Sequence, residues 1–267
     1  MAIIVFSGKG GTGKTSLSAL SIRYFSEKDE VTLALDLDPD SHLYKLLGTP
    51  LKNTVGQMVD RMHKEKKVEL EPKKPVDLSD QEYLLSLVTQ EVIVEDEKHD
   101  LLTLGKPSAD VDCYCPVFLW SEYAISQVMK SYGTTYKNIV VDCDPGTELF
   151  PRKILNEIAN HSIIDHIILV LDGSKMSLDT AADIIKEVKG RKLDVKNISG
   201  ICVRVDNTNV QKQIEETARN NYGIKVVGFI PTDPEISKKS LTDQSIFTIP
   251  NSQAYEATKN IMRTLHL

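Results

Sequence analysis

The 267-residue sequence predicts an α/β fold, a doubly wound and mostly parallel sheet flanked by helices. Three observations predict it. Short apolar runs recur, and they end in a small or acidic residue. Each run is nearly continuous rather than alternating, as strands covered on both faces require. Between the runs lie segments whose apolar residues repeat at helical spacing.

In chain order, the four leading runs are Ala2–Phe6, Val31–Leu35, Asn138–Val141 and Ile167–Leu171. After the first, Leu17, Leu20, Tyr24 and Phe25 fall on one helical face; after the fourth, Leu178, Ala181, Ala182, Ile185 and Val188 do the same. Further strands are expected at Ile198–Val203 and Lys225–Ile230, around a helix bearing Val210, Ile214 and Ala218. Pro116 suits a first helical turn and predicts a helix from Val117 to about Ser131. Residues from about 48 to 99 break the rhythm. They are charged and irregular, and Lys64–Asp80 holds two prolines and little apolar content. This stretch reads as a polar, solvated insertion in one domain spanning 1–267.

Composition narrows the function classes. With 32 Lys and Arg against 38 Asp and Glu, the net charge is −6, which argues against a nucleic-acid partner. The apolar run around Ile167–Leu171 is too short to span a bilayer, and no leader pattern opens the chain, so a cytoplasmic protein with no membrane partner is expected. In a reducing compartment, closely spaced cysteines suggest metal binding or redox chemistry rather than a disulfide. Of Cys113, Cys115, Cys143 and Cys202, the first two are such a pair. Cys143 and Cys202, beside apolar runs, read as buried free thiols.

The strongest motif is Gly8-Lys9-Gly10-Gly11-Thr12-Gly13-Lys14-Thr15, which follows a strand and opens a helix. Its glycines let backbone N–H groups turn inward around phosphate oxygens, and the helix start adds its positive end. Lys14 is expected on the β and γ phosphates and the Thr15 hydroxyl on Mg²⁺, with Ser16 continuing the nucleotide-binding turn. Two acidic clusters follow strand ends, Asp36-Leu37-Asp38-Pro39-Asp40 and Asp142-Cys143-Asp144-Pro145-Gly146-Thr147. Parallel strands deliver their carboxyl ends to one edge of the sheet, where ligands bind.

A second lysine at position 9 makes the loop similar to that of the deviant Walker A nucleoside triphosphatases, which include MinD, ParA, Mrp and the nitrogenase iron protein. The resemblance implies a P-loop ATPase whose Lys9 reaches across a homodimer to the other subunit's nucleotide. It implies that Asp36 and Asp142 hold Mg²⁺-bound water, that Asp38 orients the attacking water, and that Gly146 senses the γ phosphate. Asp144 stands where relatives carry a smaller residue or proline. For the base, relatives often use an asparagine near the end of the strand matching Ile198–Val203, where this chain has Val203-Arg204-Val205-Asp206-Asn207. Arg204 is a candidate for stacking on a purine, and Pro231 and Thr232 resemble the loop that flanks the base. ATP rather than GTP follows from the resemblance, and no Asn-Lys-x-Asp guanine reader is present.

Cys113-Tyr114-Cys115-Pro116 precedes the helix expected from Val117. Cys115 then lies near a helix N-terminus, which favours thiolate. Two sulfurs cannot complete a tetrahedral site, and a two-fold dimer would supply the other pair. With Asp36–Ser41 and this cysteine pair, the chain resembles the CooC-type ATPases and the related AcsF proteins. That resemblance implies a metallochaperone that binds Ni²⁺ (or Zn²⁺) through Cys113 and Cys115 of both subunits. Its client would be a nickel enzyme, carbon monoxide dehydrogenase or acetyl-CoA synthase. Two other functions compete, an iron–sulfur carrier or reductase and a MinD/ParA-like positioning ATPase.

Overall fold

The computed structural model describes residues 1–65, 78–106, 115–250 and 252–267. Its strands are β1 (Ala2–Ser7), β2 (Thr32–Leu37), β3 (Val94–Glu95), β4 (Asp100–Thr103), β5 (Asn138–Cys143), β6 (Ile164–Leu171), β7 (Val195–Val203) and β8 (Val226–Ile230). The helices are α1 (Lys14–Ser26), α2 (Leu43–Leu47), α3 (Val55–Lys64), α4 (Leu78–Leu87), α5 (Cys115–Tyr132), α6 (Ile154–His161), α7 (Lys175–Gly190), α8 (Thr208–Tyr222), α9 (Pro234–Leu241) and α10 (Gln253–Thr264).

The strands form one eight-stranded sheet in the order β3-β4-β2-β5-β1-β6-β7-β8. Every pairing is parallel except that of β3 with β4. The continuous apolar runs are explained by burial on both faces. Val5, Leu33, Leu35 and Val141 join the core on one side of the sheet, and Ile4, Phe6, Ala34 and Val140 the core on the other. Each such side chain contributes about 1.5–3 kcal/mol on burial. β1 runs between β5 and β6, so the loop leaving β1 emerges among the carboxyl ends of the central strands.

The six expected strands all form, and the helix expected from Val117 begins at Cys115 and runs to Tyr132. Val210 differs from expectation. It is 42% exposed because it lies in the first turn of α8, before Ile214 and Ala218 reach the core. Within the polar stretch at 48–99, the described residues carry α3 and α4, and Val55, Met58, Val59, Met62 and Leu84 are buried in the core. α3 opens on a capping box that its composition obscured. The Gln57 N–H donates to the Thr54 Oγ1 at 3.2 Å, and the Thr54 N–H to the Gln57 Oε1 at 3.1 Å. Residues 66–77 lie outside the described residues.

The last helix docks on its own domain. Ala254, Tyr255, Ile261 and Met262 of α10 are buried, and the Tyr24 hydroxyl donates to the Leu267 carbonyl at 2.8 Å. Among the described residues, no helix is long and apolar enough to cross a membrane.

Candidate nucleotide-binding site

The loop from Gly8 to Gly13 joins β1 to α1, and its glycines are required by geometry. A Cβ on Gly8 would lie 2.5 Å from the Val170 carbonyl oxygen of β6, while Gly11 and Gly13 hold φ of 76° and 91°. Gly13 is the N-cap of α1 and supplies no side-chain cap, so first-turn N–H groups of the helix face the loop interior without one. Uncapped N–H groups at a helix start suit an anion. The Lys14 ammonium, almost fully buried, donates to the carbonyls of Gly8 at 3.3 Å and Lys9 at 3.2 Å. The Thr12 hydroxyl also donates to the Lys9 carbonyl, at 2.8 Å.

Strand register brings the acids together. Asp36 of β2 is paired with Asp142 of β5, and both are fully buried. The Asp142 Oδ1 accepts from the Ser18 hydroxyl at 3.0 Å, while its Oδ2 has no partner. Asp36 accepts the N–H groups of Asp38 at 3.3 Å and Leu43 at 3.1 Å, which fixes the turn that presents Asp38. Burial, the Asp142 charge and Asp38 push Asp36 well above the usual carboxylate range. Burial also lifts Asp142, to about 7, against the lowering effect of hydrogen bonds from Thr15 and Ser18 and of the Lys14 charge. Asp144, likewise buried with an unpartnered Oδ1, is raised to about 7 by burial and by the charges of Asp38 and Glu148.

Buried carboxylates with orphaned oxygens beside a lysine and a threonine hydroxyl fit a hydrated Mg²⁺. Thr15 would hold the ion, and Asp36 and Asp142 its waters. Among the described residues, no group of three or more His, Cys, Asp or Glu side chains is arranged to hold a metal ion by itself.

Two adjoining cavities share Gly13, Ser16 and Arg204. One, of about 470 Å³, is walled by Gly11, Lys14, Thr15, Asp38 and Pro145. The other, of about 170 Å³, is walled by Leu20, Val203, Pro231, Thr232 and Ile236. The first is a polar cleft at the phosphate loop, and the second a smaller pocket beside it with several apolar walls. A larger open cleft of about 810 Å³ lies between Pro39–Ser41 and α3, but no phosphate-loop residue lines it.

The remaining expected residues are placed as follows. Gly146 has φ 80° and donates its N–H to the Gly8 carbonyl at 2.9 Å, so this loop is tied to the phosphate loop. Gly10 packs towards Pro145, to which a Cβ would come within 3.6 Å. Arg204 donates to the Gly11 carbonyl at 2.9 Å. Lys9 lies 3.7 Å from the Asp172 Oδ2, a residue that sequence reasoning passed over, although Asp172 follows an apolar strand as Asp142 does. Burial works to raise Asp172, but hydrogen bonds from Ser174 and Ser177 and the Lys9 charge hold it at about 2.

Cys113 lies outside the described residues, and Cys115 opens α5. Cys143 and Cys202 are buried free thiols; burial pushes Cys143 far up and Cys202 to about 12, which disfavours the thiolate form.

A glycine loop between a central strand and a helix, with a buried lysine and paired strand-end aspartates, defines a P-loop nucleotide-binding protein. The chain belongs to the CobQ/CobB/MinD/ParA nucleotide binding domain family, whose model matches residues 3–112 and 124–246. It is 30% identical over 260 residues to an ATP-binding protein of Methanocaldococcus jannaschii, covering 97% of this chain and 96% of the relative. It is 24% identical over 206 residues to the carbon monoxide dehydrogenase accessory protein CooC of Rhodospirillum rubrum, covering 74% and 73% of the two chains. Among solved structures, the MinD cell division protein of Aquifex aeolicus superposes with a TM-score of 0.67 at 19% identity, over 100% of this chain and 97% of that one.

Proposed function

We propose that the protein is an ATP-hydrolysing metallochaperone. Its nucleotide-dependent homodimer would bind a transition metal through Cys113 and Cys115 of both subunits and assist nickel insertion into carbon monoxide dehydrogenase or acetyl-CoA synthase. The observation that carries this reading is the sequence Cys113-Tyr114-Cys115, whose second cysteine opens α5, in a chain similar to CooC over about three quarters of its length.

The steps follow from the residues. Triphosphate binds in the loop from Gly8 to Ser16, with Lys14 on its β and γ oxygens. Bound Mg²⁺ would neutralise phosphate charge there. Asp38, at the cleft wall, orients water for in-line attack on the γ phosphorus. Lys9 leaves Asp172 and crosses to the second subunit's nucleotide, a cation offered to the developing charge. Loss of the γ phosphate loosens the pairing, and the shared thiolate site opens beside the client. Coupling between nucleotide and metal is reciprocal, so metal also tightens the dimer.

An iron–sulfur carrier is supported by 23% identity to a cytosolic Fe-S cluster assembly factor, the NUBP2 homolog of Dictyostelium discoideum, over 97% of this chain. Ser252–Leu267 holds no cysteine, however, whereas the resemblance to Mrp would place a pair near the C-terminus. A membrane-positioning role is weakened by the apolar face of α10, which is already buried against the domain. The test is metal content per dimer in the wild type and in Cys113→Ser/Cys115→Ser. The reading expects one divalent ion per two chains, lost in the variant. Equal metal in both proteins sinks it, and visible absorption after anaerobic purification turns the case to the iron–sulfur carrier.

A further inference from the structure

The sheet has a second edge, opposite the nucleotide site, where β2 and β4 begin. There Asp100 is paired with Leu33 of β2 on one side and Glu95 of β3 on the other. A cavity of about 410 Å³ opens at this edge, walled by Asp29, Glu30 and Val31 before β2 and by Asp96, Glu97 and His99 before β4. Small-molecule sites occupy about 300–1,000 Å³.

Four carboxylates line this cavity, and two of them are uncommitted. Glu30 holds the Lys28 ammonium at 2.9 Å and the Asn138 amide at 2.8 Å, and the Asp96 Oδ1 accepts the Lys98 N–H at 3.0 Å. Asp29 and Glu97 are bonded through their side chains to no described residue. The Lys98 ammonium, also on the wall, is drawn over the Phe247 ring, 4.7 Å from its centroid. His99 is 2% exposed, with its Nε2 at 2.8 Å from the Thr49 Oγ1 and its Nδ1 without a partner. Burial holds this imidazole below its usual range, with the Lys98 charge assisting and Asp96 opposing, so the ring is neutral and one nitrogen is an acceptor. Among the described residues, these acids form no metal-binding group. They surround the cavity without converging on one point, and the half-exposed Val31 adds apolar surface to its wall.

We propose that this cavity binds a small organic polycation, an alkyl diamine or polyamine. Its ammonium groups pair with Asp29 and Glu97, its methylenes pack on Val31, and one N–H is donated to the His99 Nδ1, whose ring carries its proton on Nε2 towards Thr49. A hard divalent ion needs several oxygens around a single point, whereas a chain of amines matches acceptors set apart. A buried acceptor with no donor is costly, and the bound N–H relieves it. The site lies the length of β2, about 20 Å, from the nucleotide edge, so it stands apart from the function proposed above.

The experiment is calorimetric titration of the nucleotide-free full chain with spermidine at about 0.15 M salt, which screens distant charges. One saturable site is expected. Asp29→Asn/Glu97→Gln should weaken it by about tenfold or more, as loss of charge-assisted bonds does. Asn tolerates the φ of 54° that Asp29 holds. Glu216→Gln/Glu235→Gln, the same charge change elsewhere on the surface, should leave affinity within about twofold. Nitrogen NMR of the His99 ring should show Nε2 protonated and the Nδ1 resonance displaced by spermidine. Absent binding, equal weakening in both double variants, displacement by Mg²⁺ or an unmoved Nδ1 resonance would overturn the proposal. A dilysine peptide that binds more tightly than spermidine would also overturn it, by assigning the cavity to a protein partner.

Discussion

The Lys9 ammonium sits 3.7 Å from the Asp172 carboxylate of its own chain, while Arg204 donates to the Gly11 carbonyl of the same loop. Asp172 follows β6 and Lys9 follows β1, and these strands are neighbours, so the pair is set by sheet order. Both side chains are partly solvated, and such a pair is worth about 1 kcal/mol or less. Transfer of Lys9 to a second subunit is therefore energetically accessible.

Lys9→Ala should leave ADP affinity within about threefold and lower ATP turnover by about 10³ or more, as loss of a cation offered to the transferred phosphoryl does. Asp172→Asn should release Lys9 and move the ATP-bound monomer–dimer equilibrium towards dimer by up to about fivefold, given the small worth of the pair. Phosphate release from ATP and ADP titration read the first prediction, and sedimentation velocity with a non-hydrolysable ATP analogue reads the second. A dimer weakened by Asp172→Asn would assign the pair to interface order instead.

The acid cluster predicts a pH dependence of stability. Asp142 and Asp144 titrate near 7 when folded, against about 4 in an unfolded chain. Between these values the folded chain keeps protons that the unfolded chain has released. Stability therefore falls as pH rises from about 4 to about 7 and levels off above. Without nucleotide, the thermal midpoint should be lower at pH 8 than at pH 5, and Asp142→Asn should raise it at pH 8 while abolishing Mg²⁺-dependent hydrolysis. Mg²⁺ with ADP should narrow the gap. A wild-type midpoint that climbs from pH 5 to pH 8 would show that the buried carboxylates are stabilised in their charged form.

Gly8→Ala tests the loop itself. The added methyl meets the Val170 carbonyl at 2.5 Å, backbone against backbone, and cannot be relieved by a side-chain rotation. Chemical denaturation should show a loss of about 1–3 kcal/mol, and nucleotide affinity should fall with it. Gly223→Ala is the contrast, with open space around its Cβ and only the strain of φ 67°.

Much of this site was legible because its signals are local. Gly8–Thr15 is one contiguous motif, and Asp36 and Asp142 follow apolar strands directly. The missed features depend on chain segments far apart. Asp172 meets Lys9 only because β6 lies beside β1, and Asp206 meets Thr232 only because β7 lies beside β8. β3 and β4 went unread because they are two and four residues long, and β4 follows a charged stretch. α3 was hidden by its own composition, since Gln57, Asp60, Arg61, His63 and Lys64 stand beside the apolar residues that bury it.

The central claim is that nucleotide clamping and thiolate coordination belong to the same pairing of subunits. Light scattering coupled to metal analysis, on protein incubated with Ni²⁺ and a non-hydrolysable ATP analogue, tests it most directly. The expected result is a species of twice the chain mass carrying one ion per two chains, with Cys113→Ser/Cys115→Ser giving a metal-free and weaker dimer. A nucleotide-loaded wild type that remains a single chain and binds no nickel would contradict it.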